Sequence, residues 1–400
     1  MPMTPDSNAR ARAQRFIIML GTVSLFADMT YEGARSVNGP FLAVLGASGT
    51  VVGVVAGAGE LLGYLIRFLS GRWSDRSRRY WRIVGVGYAI NLVAVPALAL
   101  AGGWPVAAGL MVTERVGKGI RTPARDVLLA GAAGEIGTGW GFGLHEALDQ
   151  AGAVLGPLLL AAALTGATGY RPAFALLAIP ATLALASLAA ARRWAGAPVA
   201  ADLRAAPPAP AGGFGRAYRL YLGAAGLVAL GFADFPLIAY HLERAGVLAP
   251  PLIPLSYGLA MLGAAGAALG LGKVFDRIGL ALLAPVTLVT ALAAPLAFLG
   301  GAQAAVAGVV LWGMGMGAHE SVMRAAVAEM VPAGRLGSAF GTFNAVFGTA
   351  WFAGSVTLGV LYDRTVTGLV ALAVGAQLAA IPVLLAAARA RRREAVEAAA

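Results

Sequence analysis

Gly71-Arg72-Trp73-Ser74-Asp75-Arg76 and Gly272-Lys273-Val274-Phe275-Asp276-Arg277 are two copies of one phrase, each closing an apolar run. Phe26-Ala27-Asp28 is echoed by Phe232-Ala233-Asp234, and Gly141-Phe142-Gly143 by Ala339-Phe340-Gly341. The offsets are 201, 206 and 198 residues, the spacing of one duplication whose loops have drifted in length. A duplicated set of six hydrophobic segments is the construction of many secondary transporters, with the substrate site between the halves.

Composition agrees with membrane insertion. Hydrophobic residues make up 59% of the 400 and charged ones only 12%, with a mean hydropathy of +0.76. A soluble domain of this size needs far more polar surface. Apolar runs long enough to cross ~30 Å of hydrocarbon recur along the chain, and backbone groups without water must bond within helices. The expected fold is an all-α polytopic membrane protein with 12 transmembrane helices in two six-helix pseudo-symmetric halves. Spans are expected at 16–44, 50–70, 83–102, 105–127, 139–166 and 172–191, then at 217–241, 252–271, 280–300, 303–325, 337–361 and 366–388. The corresponding domains are an N-terminal tail (1–15), an N-terminal half (16–195), an Ala/Pro/Gly-rich linker (196–216), a C-terminal half (217–388) and a C-terminal tail (389–400).

The formal charge of +11 would suit nucleic acid, but its placement argues against that partner. The 28 Arg and two Lys concentrate on alternate loops: Arg10, Arg12 and Arg15; Arg72 to Arg82; Arg192 to Arg219; Lys273 and Arg277; Arg389 to Arg393. The intervening loops hold only Arg171, Arg244 and Arg364. This positive-inside asymmetry puts both termini in the cytoplasm of a multi-pass protein; the abundance of Ala, Gly and Arg over Lys suggests a GC-rich bacterial genome, so the expected location is a bacterial inner membrane. Met1 to Arg15 lacks an apolar core and reads as a cytoplasmic tail, not a cleavable signal. With no cysteine, disulfides and thiolate metal sites are excluded.

Charges inside the spans are unevenly spread. Spans three, six, nine and twelve carry none in their cores and are expected to be outer, lipid-facing supports. Buried charges are costly in lipid and face a bundle interior or an aqueous path. In span one, Asp28, Glu32 and Arg35 share a face; in span two, Glu60, Tyr64 and Arg67 do. Span four places Glu114, Lys118, Arg121 and Arg125 on one stripe, Glu114 to Lys118 being the favourable order for an intrahelical pair. Arg115 lies beside that stripe near mid-membrane and requires a carboxylate partner, whereas Arg121 and Arg125, with Pro123 between them, are expected at the membrane interface. His145, Glu146 and Asp149 in span five suggest a proton relay or cation site, with hydrogen-bonded structure as the plainer alternative. Burial favours the neutral form of a carboxylate, the property a proton carrier needs. Asp28 is the first candidate for coupling or substrate contact, with Asp234 expected opposite it across the pseudo-twofold axis. Met314, Met316, His319 and Glu320 would form a soft cation site only if they converged, and Gly-Met-Gly-Met-Gly reads more simply as close helix packing. No metal site is therefore expected. Walker, His-Glu-x-x-His and Gly-x-Ser-x-Gly patterns are absent, so neither ATP-driven transport nor enzymatic chemistry is expected.

Taken together, these features resemble the major facilitator superfamily. The loop Gly71 to Tyr80 resembles that family's G-x-x-x-D-R-x-G-R-R motif, departing where Arg78 replaces its glycine and Tyr80 its last arginine. Gly272 to Gly279 is the second copy, with Asp276, Arg277 and Gly279 in place. Arg115-Val-Gly-Lys-Gly119 resembles the fourth-span motif, and Gly152-Ala-Val-Leu-Gly156-Pro157 the core of the fifth-span motif of antiporters, although Leu160 and Ala161 replace its closing glycines.

The resemblance implies a proton-coupled transporter working by alternating access, and the fifth-span motif points to an antiporter that exports a small molecule. It implies a latch made by Gly71, Asp75, Arg76 and Arg79, with Gly272, Asp276 and Arg277 as its second copy; Asp75 would dock near Gly337 and Asp276 near span five. It makes Arg115 a coupling or gating residue and Gly152, Gly156 and Pro157 a packing stripe. The proton gradient, not a cofactor, would supply energy. The expected partners are a small-molecule substrate and the lipid bilayer, with the protein acting as a monomer. A proton-coupled importer or facilitator, or a non-transporting membrane receptor or assembly protein, remain open as alternatives.

Overall fold

The computed structural model describes the backbone over residues 7–136, 138–166, 169–195, 214–331 and 336–399. Among these residues there is no strand, and the apolar runs fold into helices in chain order: α1 (Ser7–Val44), α2 (Gly49–Ser77), α3 (Tyr80–Ala97), α4 (Trp104–Ile136), α5 (Thr138–Thr165), α6 (Tyr170–Leu176), α7 (Ala178–Ala195), α8 (Arg216–Gly231), α9 (Phe235–Arg244), α10 (Leu252–Ile278), α11 (Leu283–Thr290), α12 (Ala293–Leu299), α13 (Ala302–Glu320), α14 (Val322–Met330), α15 (Leu336–Arg364) and α16 (Val366–Ala399). Nine segments among the described residues are long and apolar enough to cross a membrane. The other three expected spans lie in α1, α4 and the α13–α14 pair, where charged and polar residues interrupt the apolar sequence. The all-helical, twelve-span architecture stands.

Helices overrun the expected boundaries: α1 begins inside the basic tail, and α16 carries Arg389 to Arg393 in its final turns. Several spans are broken. The seventh splits into α8 and α9 around Phe232 and Asp234, although the matching Phe26 and Asp28 lie in the uninterrupted α1. The local difference is Pro236, which lacks an N–H and suits the first turn of a new helix. The broken backbone is repaired inside the protein, as membrane depth demands. Trp312 Nε1 donates to the Ala233 carbonyl at 2.8 Å, and the Leu237 N–H to that of Asp234 at 3.0 Å.

The repeated loop motif explains its own glycine. Gly279 has φ +64°, a conformation that costs glycine little. Arg78, at the equivalent place in the first copy, also has a positive φ of 50°. The first copy therefore keeps the turn while placing an unfavourable residue in it.

Backbone contacts group the chain into two compact units. The first comprises Met1–Val37 and Leu62–Arg204; the second comprises Asn38–Leu61 and Ala205–Ala400. In the first, α1 packs on α5 across a glycine stripe. A Cβ on Gly152 would overlap the Leu25 carbonyl oxygen and sit 2.9 Å from Asp28 Cβ. One on Gly156 would overlap the Met29 carbonyl and approach Gly33 N to 2.9 Å. In the second unit, the end of α1 and the start of α2 pack with α9 and α15.

Candidate functional site

The glycine stripe of α5 presses α1 close enough to bury its charged face. Asp28, Glu32 and Arg35 are each at most 7% exposed. Tyr31, one turn beyond Asp28, donates its hydroxyl to Asp28 Oδ1. The same tyrosine ring carries cations on its face: Lys118 Nζ is 3.9 Å from its centroid and the Arg121 guanidinium carbon 5.5 Å. Lys118 also pairs with Glu32 Oε1 at 3.5 Å. Tyr31 thus touches both an acid and two cations, and no sequence pattern singles it out.

Arg121 is the deepest charge of this cluster, with no exposed surface. Its Nη1 donates to the Tyr88 hydroxyl at 3.1 Å, and its guanidinium lies 4.2 Å from the Tyr88 ring centroid. Among the described residues, Nε and Nη2 have no hydrogen-bond acceptor. Arg121 and Arg125 are thus covered by the protein itself, Arg121 completely. Gly87 on α3 admits the Arg121 backbone, because a Cβ there would come within 2.6 Å of Arg121 N. Arg125 pairs with Asp126 Oδ1 at 2.8 Å and more loosely with Asp149 Oδ2 at 3.9 Å.

A hydrogen-bonded chain ties these groups together. His145 Nε2 and the Ser24 hydroxyl lie 3.1 Å apart; the Ser24 and Tyr88 hydroxyls are 3.4 Å apart; Tyr88 then accepts from Arg121. Arg125 Nη1 also donates to Ser24 at 3.4 Å. His145 and Asp149 of the expected relay thus join the cluster. Glu146 is exposed and accepts from Gln150 at 3.0 Å.

Glu114 is buried and receives Asn91 Nδ2 at 2.8 Å, while its Oε2 lies 3.2 Å from Arg115 Nε. The close pairs of this stripe are Glu114–Arg115 and Lys118–Glu32, where the sequence suggested Glu114–Lys118. Tyr88 and Asn91 also amend the picture of span three as an outer support. It is uncharged, yet it supplies two buried polar groups to charged neighbours. Polar residues spaced by three inside an apolar helix were the available signal. Gln377 does the same in span twelve, donating to the Gly231 carbonyl at 3.2 Å.

Arg67, in the first unit, stacks near the Tyr64 ring at 5.7 Å, whereas Glu60 falls in the second unit. Asp234 is also in the second unit, buried, and accepts from Trp351 Nε1 at 3.2 Å. There His319 lies among aromatic rings, 4.6 Å from Phe232 and 5.8 Å from Phe347 between centroids. The Glu320 side chain lies outside the described residues. No cluster of three His, Asp or Glu suited to a metal occurs among the described residues.

Of the latch residues, Arg76, Arg79 and Arg277 are exposed, and a Cβ on Gly71 would meet Pro123 at 3.7 Å. The side chains of Asp75 and Asp276, and the surroundings of Gly337, lie outside the described residues. Another fastening is visible within the second unit. Asp363, in the last turn of α15, accepts from the N–H groups of Gly49 at 2.8 Å and Thr50 at 2.7 Å, and from Thr50 Oγ1 at 2.6 Å. It caps α2 from a distant helix, and Ser48 Oγ completes the cap through Val51 N at 3.3 Å. Tyr240 on α9 donates to the Ala47 carbonyl at 2.9 Å. Sequence reasoning missed this seam because its partners are more than three hundred residues apart.

Comparison with known proteins agrees with the fold. The sequence profile of the Major Facilitator Superfamily matches residues 20–355. An uncharacterized protein of Mycobacterium tuberculosis is 40% identical over 383 residues, covering 94% of this chain and 93% of its own. An uncharacterized MFS-type transporter of Methanocaldococcus jannaschii is 32% identical over 143 residues, 36% of each chain. Among solved structures, a peptide transporter POT bound to alafosfalin superposes with a TM-score of 0.76 at 18% identity, covering 94% of this chain and 95% of that one. The nucleoside transporter NupG gives 0.69 at 11% identity, covering 94% and 98%. At those identities the likeness is one of fold.

Proposed function

The chain belongs to the major facilitator superfamily and is a membrane transporter, and from that premise we propose proton-coupled alternating access, with export of a small polar solute in exchange for protons. The observation that carries the coupling is the Asp28–Tyr31 pair set against Lys118 and Arg121. Both the acid and Arg121 are buried, and each is held by a tyrosine hydroxyl that bears no charge. Protonating Asp28 removes a negative charge from beside two cations whose desolvation is costly, so the energy of the arrangement depends on that proton. The hydrogen-bonded chain from Arg121 through Tyr88 and Ser24 to His145 connects this change to α5.

Export is supported by the α5 stripe of Gly152 and Gly156, which packs on the helix that carries Asp28. Mixed charge within the first unit supports a polar solute, as do proteins of the same fold that are peptide and nucleoside transporters. The arginine asymmetry supports cytoplasmic termini in a bacterial inner membrane, and with that orientation the Asp363 seam lies on the outer side.

The test uses energised everted vesicles and an acid-sensitive dye, with added organic cations, drugs and organic anions. Dye recovery with one compound, lost in Asp28→Asn and retained when the exposed Glu135 is changed in Glu135→Gln, is the expected result. Recovery that persists in Asp28→Asn with a verified, inserted protein removes Asp28 from coupling. If no compound restores the dye but labelled solute accumulates in right-side-out vesicles, the direction is import.

A further inference from the structure

At the ends of α8 and α16, a cavity of about 410 Å³ is lined by Arg216, Leu220, Ala386, Arg389, Arg393 and Glu394. Arg389 and Arg393 stand one turn apart on the same stripe of α16, and Arg216 opens α8. All three arginines are exposed, and among the described residues none has a carboxylate within ion-pairing distance. Glu394, the one acid in the lining, is otherwise engaged. Its Oε1 accepts from the Ala217 N–H at 3.1 Å, where the positive end of α8 already matches its charge. The lining therefore keeps an excess of positive charge in a concavity, with an apolar floor from Leu220 and Ala386.

Arginines at helix ends are ordinarily explained by membrane orientation alone. That explanation needs no cavity and does not require three arginines to line the same one. We propose that this cavity binds the phosphodiester headgroup of an anionic phospholipid. A guanidinium presents a planar fork of donors that matches paired phosphate oxygens. The floor leads directly onto the apolar spans Arg216–Arg244 and Val366–Glu394, along which acyl chains would lie. A basic pocket at the polar end of two spanning helices sits at headgroup depth. This apolar continuation favours a lipid over free phosphate.

The full chain in detergent is mixed with dioleoylphosphatidylglycerol or dioleoylphosphatidylcholine and followed by native mass spectrometry. The expected result is at least fivefold greater retention of phosphatidylglycerol. The combined Arg216→Gln, Arg389→Gln and Arg393→Gln variant should bring the ratio near one, whereas Arg392→Gln, outside the lining, should leave it unchanged. An unchanged ratio in the triple variant, or an equal loss in Arg392→Gln, overturns the proposal. So does thermal stabilisation by inorganic phosphate that requires the three arginines, if no lipid preference accompanies it; the occupant is then free phosphate. Should the triple variant not fold, Leu220→Glu adds a negative charge to the floor with every arginine in place. Undiminished phosphatidylglycerol retention in that variant also overturns the assignment.

Discussion

Removing the Asp363 carboxylate should loosen the seam that holds the start of α2 to the end of α15. Asp363 satisfies two orphan N–H groups of α2 and one hydroxyl, at 2.6 to 2.8 Å. Loss of a side-chain cap costs ~0.5–2 kcal/mol, and loss of an anion from a helix N-terminus a further ~0.3–1 kcal/mol. The carboxylate is exposed, so screening trims the sum, and we take ~1–2 kcal/mol for Asp363→Ala. That energy raises the open population about 5- to 30-fold. The assay exploits a chain without cysteine, in which one introduced thiol reports alone. Ser355 is 1% exposed on α15 and packs against α2, where a Cβ on Gly57 would lie 2.9 Å from its own. Ser355→Cys should react slowly with N-ethylmaleimide in the purified protein, and about 5- to 30-fold faster when Asp363→Ala is added. Asp363→Asn should fall between, because its amide oxygen still accepts. A rate changed less than about twofold by Asp363→Ala would refute the view that this cap holds the seam closed.

Two further expectations concern the first unit. Gly152→Ala should lower the thermal midpoint by several degrees, since overpacking against the Leu25 backbone costs ~1–3 kcal/mol; Gly143→Ala, which meets nothing within 4 Å, is the control, and equal effects would contradict the close α1–α5 approach. Arg78→Gly should be more stable than Arg78→Ala by ~1 kcal/mol because only the glycine relaxes at positive φ, and thermal midpoints in the opposite order would exclude strain there.

The fold was largely legible because the bilayer leaves few solutions. Long apolar runs must be helices, and the pairing of Gly71 with Gly272 and of Asp28 with Asp234 disclosed the duplication. The candidate site was legible in part. Intramembrane charges announced themselves by their cost, so Asp28, Glu32, Glu114, Lys118, His145 and Asp149 could be picked out singly. Their partners could not. Tyr31, Tyr88 and Asn91 are ordinary residues in apolar helices, and nothing in their spacing says which charge each will meet. The cover over Arg121 was not legible either, because the stripe it shares with Lys118 and Arg125 does not reveal how completely the neighbouring α3 packs on it.

Hydropathy, periodicity and repetition thus determined the number of spans and which charges lie within them, since these depend on the exchange of each segment between water and lipid. Tertiary structure decided how the charges are matched and where helices break. Pairing energies fall off over a few ångströms, and only the packed chain brings Asp363 to Gly49, Tyr88 to Arg121 and Trp351 to Asp234. A tripeptide as alike as Phe26-Ala27-Asp28 and Phe232-Ala233-Asp234 runs through a helix in one half and ends one in the other, because a nearby proline and a tryptophan from a distant helix stabilise the break.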